Sequence, residues 1–163
     1  MKTMDEFMEH TIQDLYSAET QALDAMPQLM DRVQNPQLRQ AFQTHQQETQ
    51  QQVQRLEQIA QQMGIDANGG EACQAMQGLI EEAQDTLAQI EDPQLADAAI
   101  IAAAQKMEHY EIASYGTART LAQQAGQTQA AALLEQTLAE EKATDEKLTQ
   151  IATSGVNQRA AQA

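Results

Sequence analysis

At 163 residues the chain is about one domain long, enough for a single sizeable core. A net charge of −15 would repel a phosphate backbone or an anionic membrane, which disfavours nucleic-acid and membrane-surface binding as functions. Tryptophan is absent, aromatic residues are 3%, and one cysteine rules out an internal disulfide or a cysteine metal cluster, so Leu, Ile, Met and Ala must build a core of helices.

The opening residues, MKTMDEFMEH, lack the basic region and apolar segment of a signal peptide, and no apolar run is long enough to span a bilayer; a cytoplasmic protein is expected. A first helix is predicted over residues 5–33, with Pro27 kinking it by removing a backbone bond. Followed at steps of three and four, its apolar stripe runs Met8, Ile12, Leu15, Tyr16, Glu19, Leu23, Met26 and Met30, and Glu19 interrupts it. NPQL at 35–38 opens a second helix, with Asn35 as N-cap and Pro36 at the first helical position, and Gly64 closes it. Its stripe over 36–63 is Leu38, Phe42, His45, Glu48 or Thr49, Val53, Leu56, Ile59 and Met63, so His45 and Glu48 fall in mid-seam.

GIDANGG at 64–70 reads as a loop, and residues 71–91 as a shorter third helix carrying Met76, Leu79, Ile80, Leu87 and Ile90. Cys73, at its start, reads as a small buried or half-buried apolar residue. DPQL at 92–95 repeats the capping device with Asp92 and Pro93, opening a fourth helix over 93–125 that Gly126 ends. Its stripe is Leu95, Ile101, Gln105, Glu108, Ile112 and Tyr115, with Glu111 beside Glu108 and His109 facing away. The fifth helix, over 128–153, presents Leu134, Leu138, Glu141, Asp145, Leu148 and Ile151. Residues 1–154 thus read as one helical bundle domain, and 155–163, without apolar periodicity, as a disordered tail.

Two hairpins, 5–63 and 93–153, are joined by about thirty residues, long enough to run the length of a bundle and return. The expected fold is all-α: a ferritin-like four-helix bundle whose long crossover contains an extra short helix.

Each long helix then carries at least one carboxylate near its midpoint on the inward face. Any one of them is explained by a side chain snorkelling to water, and His45 alone by a hydrogen-bonded core histidine. Four helices together are not so easily dismissed. Unpaired carboxylates in a core are costly, and Lys and Arg fall mainly off these stripes, so a bound cation is the economical neutraliser. Carboxylates with one imidazole suit iron or manganese better than structural zinc, and two divalent ions would account for the number of acids. Tyr16 and Tyr115 lie one turn from Glu19 and Glu111, as core aromatics whose hydroxyls reach an acid or as redox-active neighbours.

The chain also resembles the YciF-like bacterial stress proteins of the ferritin-like superfamily, over nearly its whole length. The resemblance rests on LYSAETQAL at 15–23, AFQTHQQET at 41–49, AMQGLIEEA at 75–83, AAIIAAAQKMEHYEIASYGTARTLA at 98–122 and LLEQTLAEEKATDEKLTQIA at 133–152. It implies a ferritin-like bundle, a homodimer, a candidate di-iron site and a role in stress, without an established reaction. Carried over residue by residue, it makes Glu19 the ligand of the first helix, His45 and Glu48 the pair of the second, Glu108 and Glu111 the paired glutamates of the next bundle helix, and Glu141 the acid of the last. Two departures stand out: the second-helix pair runs His-x-x-Glu, the reverse of the usual order, and Asp145 stands where a histidine is usual.

Two functions follow as expectations. One is a di-metal redox protein of peroxidase or ferroxidase type, acting on peroxide or O₂ or sequestering iron, in which Glu48 or Glu141 bridges, His45 and Glu19 bind terminally and Glu108 or Glu111 shifts. The other is a metal-free bundle that serves as a stress-associated interaction or scaffold protein, its acids satisfying one another by hydrogen bonds.

Overall fold

The structure, a computed structural model, describes all of residues 1–163. Five main helices follow one another: α1 (Met4–Arg32), α2 (Pro36–Met63), α3 (Gln74–Ala88), α4 (Pro93–Gln124) and α5 (Thr128–Ile151). The two Asx-Pro starts behave as their chemistry requires. Asn35 Oδ1 accepts from the amides of Gln37 and Leu38, and Asp92 Oδ1 from those of Gln94 and Leu95. Gly64 (φ 71°) and Gly126 (φ 72°) take the left-handed conformation that lets the next residue's amide reach back to the helix, Ile65 to Ala60 O and Gln127 to Ala122 O. Helix α1 continues through Pro27, whose side is exposed.

Contacts across the bundle fix its topology. Tyr110 of α4 meets Asp14 of α1, and Asp97 near the start of α4 meets the α1–α2 turn, so α1 and α4 run antiparallel. Arg55 of α2 meets Glu140 of α5 while His45 meets Thr144, so α2 and α5 are antiparallel as well. Short turns make α1/α2 and α4/α5 antiparallel hairpins, and the square α1–α2–α5–α4 leaves α2 and α4 parallel across a diagonal. Only a connection that travels the length of the bundle permits this. That connection carries α3, which packs its Met76, Ala83 and Leu87 against α1 and α4. Arg32 fastens its end by donating to Leu87 O and Ile90 O at 3.3 and 2.8 Å. No helix is long and apolar enough to cross a membrane.

Two expectations need correction. The segment 155–163 is not a disordered tail: a wide helical turn over Ala152–Val156 leads to α6 (Asn157–Ala160), packed on α4, and Val156 is buried in the core. One inward valine suffices for this, too little to register as a periodicity. Leu95, placed on the inner stripe, is 42% exposed, because α4 turns its alanines Ala96 and Ala104 inward with Ile100 and Ile101.

Asp97, which the stripe did not mark, is buried and accepts from the amides of Gln34 and Asn35 at 2.8 and 2.9 Å, holding the α1–α2 turn to α4. Asp97→Ala strands both donors; the expected cost is about 1–3 kcal/mol. In a chain of this size that lowers Tm by roughly 3–10 °C, read by calorimetry.

The apolar core is divided. One cluster joins Ala18 to Leu29 of α1, Val33 just after it, Leu38 and Phe42 of α2, the first half of α4 and the end of α5. The other joins Met8 to Leu15, Leu56 to Ala60, Tyr115 to Ala122 and Ala130 to Leu138. Between them lies a layer of polar side chains.

Candidate metal centre

The layer is composed of Glu19 from α1, His45, Thr49 and Gln52 from α2, Glu108 and Glu111 from α4, and Thr137 and Glu141 from α5, all at most 8% exposed. Helical steps of three, four and seven put these residues on inward faces where the sequence would otherwise continue with apolar ones. His45 Nε2 lies 3.1 Å from Glu108 Oε1, and its Nδ1 lies 3.4 Å from the Thr144 hydroxyl. His45, Glu108 and Glu141 each bring one donor atom within 4.8 Å of the others, and this buried group can hold a metal ion. Tyr115 donates its hydroxyl to Glu19 Oε1 at 2.6 Å, so the tyrosine expected beside an acid serves Glu19 rather than Glu111.

The electrostatics of the layer are those of acids lacking countercharge. Burial pushes the Glu19 carboxyl up to about 8, with the Glu141 charge adding and the Tyr115 hydrogen bond opposing. Burial likewise raises Glu108 to about 8, with Glu19, Asp145 and Glu48 adding repulsion. Glu111 and Glu141 are raised well above the carboxylate range, first by burial and then by the neighbouring acids. No Lys or Arg reaches these four carboxyls. Glu108 Oε2, both oxygens of Glu141 and the Gln52 Oε1 are buried without a hydrogen-bond partner.

The remaining predicted residues sit at the rim. Glu48 is half-buried and lines a polar groove of about 690 Å³ between α2 and α5, together with Thr44, Thr144, Lys147 and Gln150. Asp145 is half-buried and engaged elsewhere: Oδ1 accepts from Gln105 Nε2 at 2.9 Å, and Oδ2 lies 3.2 Å from Nε2 of the exposed His109. Tyr16 turns outward, its hydroxyl donating to Glu57 at 3.4 Å rather than standing beside Glu19. Helical spacing explains both placements: Glu48 is one position off the inner line defined by His45, Thr49 and Gln52, and Asp145 is one turn beyond Glu141. Gln52 and Thr137 are the members of the layer absent from the predicted stripes; for Gln52 the signal was there, in its position seven residues after His45 on the same face.

A protein family described as a domain of unknown function, DUF892, matches residues 3–161. The chain belongs to the DUF892 family. Its relatives in sequence include protein YciF of Escherichia coli (strain K12), 48% identical over 160 residues, 98% of this chain and 96% of that protein. The crystal structure of the E. coli stress protein YciF superposes with a TM-score of 0.91 at 47% identity, covering 96% of this chain and 99% of that one. YcfI from Rhodopseudomonas palustris superposes with a TM-score of 0.88 at 40% identity, covering 91% and 94%. The YciF-like character expected from the motifs of α1, α2, α4 and α5 is therefore established, and with it the all-helical bundle fold of this DUF892 member.

Proposed function

We propose that this protein is a stress-response member of its family that holds two divalent transition-metal ions, iron before manganese, in the polar layer and reacts with peroxide or O₂ or sequesters iron. The observation that carries the reading is the set of four fully buried acids, Glu19, Glu108, Glu111 and Glu141, with no cationic side chain among them. Ionised, they carry the charge of two divalent cations, and neutral His45 adds a nitrogen donor. Orphaned oxygens on Glu108 and Glu141 fit the same reading, since a buried acceptor without a donor is costly and a cation satisfies it.

Glu48 and Asp145, half-buried, lie outside this charge-balanced set; Glu48 serves better as a cation-attracting residue at the mouth than as a bridge. Bound redox-active ions would supply the electrons that reduce peroxide or O₂. The chain's residues do the rest. His45 and Glu108 orient each other, Tyr115 fixes the Glu19 carboxyl, and the two apolar clusters keep bulk water from the layer. The groove lined by Thr144, whose hydroxyl meets His45, gives a small oxidant a route toward the most exposed donor of the layer. A homodimer completes the proposal.

The test is an anaerobic titration of chelator-stripped protein with Fe(II), expected to saturate at two ions per chain and to consume peroxide as the bound Fe(II) is oxidised; absence of stoichiometric binding sinks the idea. A second reading, a metal-free scaffold, is favoured by one feature: burial pushes the Glu19 and Glu108 carboxyls up to about 8, so that in the protonated form they need no cation. In that case a chelator leaves Tm of protein purified from its host unchanged, whereas a metal-holding bundle loses stability when stripped.

A further inference from the structure

His45 has two ring nitrogens, and the structure gives them different neighbours. Nε2 faces the buried acids, 3.1 Å from Glu108 Oε1. Nδ1 faces α5, where its single hydrogen-bond partner is the Thr144 hydroxyl at 3.4 Å. Thr144 differs in this from other threonines of the bundle. Thr11, Thr20, Thr49, Thr117 and Thr153 each donate to the carbonyl four residues back, the ordinary use of a threonine hydroxyl inside a helix. The Thr144 hydroxyl is instead turned across the α2–α5 seam and spent on the imidazole. Its side chain is half-buried and lines the groove between these helices.

An imidazole binds a cation through the lone pair of one nitrogen, and the other nitrogen then carries the ring's proton and needs an acceptor. With Nε2 on the side of Glu108, the nitrogen left to carry the proton is Nδ1, and the acceptor beside it is Thr144 Oγ1. A hydroxyl also suits the other tautomer, in which Nε2–H faces Glu108 and Nδ1 accepts from the Thr144 O–H. Because it both donates and accepts, it partners Nδ1 in either form simply by turning its hydrogen. A carboxylate at this position would accept only and hold one tautomer, and valine would serve neither.

We propose that Thr144 is a positioning residue of the metal centre: its hydroxyl orients the His45 ring and accepts the Nδ1 proton, so that Nε2 is the nitrogen offered to a divalent cation such as Mn(II) or Fe(II). The proposal rests on the di-metal reading above and sharpens it by naming the ligating nitrogen and the residue that selects it. The register of α5 fits this role. Thr144 follows Glu141 by three residues, one turn on along the same face, so a single helix supplies both a buried acid and the partner of the imidazole.

The experiment uses chelator-stripped, full-length protein and two readouts. Mn(II) binding is followed through the electron paramagnetic resonance signal of free Mn(II), and the nitrogen NMR shifts of the His45 ring, recorded with diamagnetic Zn(II), show which nitrogen is protonated and which is ligated. Wild type is expected to take two Mn(II) ions per chain and, with Zn(II), to show a protonated Nδ1 and a ligated Nε2. Thr144→Val, which keeps the shape and removes the hydroxyl, is expected to weaken one Mn(II) by about 10–100-fold, and Thr144→Ser, which keeps the hydroxyl, to bind as wild type does. Wild type binding two ions while Thr144→Val retains its affinity for both overturns the proposal, as does a serine variant as weak as the valine one. If Thr144→Val does not fold by circular dichroism, the ring of wild type decides: ligation through Nδ1 overturns the proposal. Failure of wild type to bind Mn(II) or Fe(II) overturns the di-metal reading itself, and this proposal with it.

Discussion

Replacing Glu108 and Glu141 together by glutamine is expected to make the metal-free protein more stable and to abolish its response to metal. In the native chain these carboxyls are buried beside each other and beside Glu19 and Glu111, with orphaned oxygens and no cationic partner. Glutamine keeps the shape, can donate as well as accept, and removes two groups whose ionised forms repel their neighbours. A gain of about 2–3 kcal/mol at pH 8 is expected, seen as a rise in Tm of roughly 5–10 °C for a chain of this size. Wild type should instead gain stability from added Fe(II) or Mn(II), about 2.7 kcal/mol at a hundredfold excess over Kd, and the variant should gain none. A metal-free variant less stable than wild type, or one that still responds to metal, would show that the acids serve the bundle by their own hydrogen bonds.

Stability of the metal-free protein is expected to fall as pH rises from about 4.5 to 8. Glu19 and Glu108 ionise near 4.5 in the unfolded chain but near 8 when folded, so across that window the native state binds more protons than the unfolded state. The derivative of unfolding free energy with pH is then negative. The stabilisation is complete below about 4.5 and lost as pH passes through about 8. A shift of this size corresponds to a change on the order of 5 kcal/mol, shared by the coupled carboxyls rather than summed over them. Glu140 works in the opposite sense: its carboxyl, although burial opposes, is lowered by Arg55 and Gln52, and that contribution disappears in acid. The metal-free protein should therefore be most stable in mildly acidic buffer. Bound metal requires ionised carboxylates, so affinity rises with pH and binding releases protons. Urea titrations across this range, stripped and metal-loaded, should give curves of opposite slope. Parallel curves would argue against a shared proton and metal site.

Much of this was legible in the residues. Helix ends were written by local chemistry, Asn35-Pro36, Asp92-Pro93, Gly64 and Gly126, because caps need only neighbours in sequence. The roughly thirty-residue connection set the bundle topology, since a chain of that length is superfluous between antiparallel neighbours. The inward acids Glu19, Glu108, Glu111 and Glu141 and the imidazole of His45 stood out because they interrupt apolar stripes at helical spacing.

The limits had equally physical causes. In an alanine-rich helix the stripe is hard to orient, so Leu95 was read as inward where Ala96 faces the core. A step of one position separates Glu48, at the groove, from Thr49, in the layer with Gln52. Tyr16 and Tyr115 were indistinguishable by spacing. Only packing sends one hydroxyl to Glu57 and the other to Glu19. Local spacing and capping, acting within a few residues, determined the helices, their order and the acids that face inward. Convergence was decided by the tertiary structure, because whether a carboxylate ends in a dry layer or at a wet rim depends on the rotation of each helix against three others, a property no single helix carries.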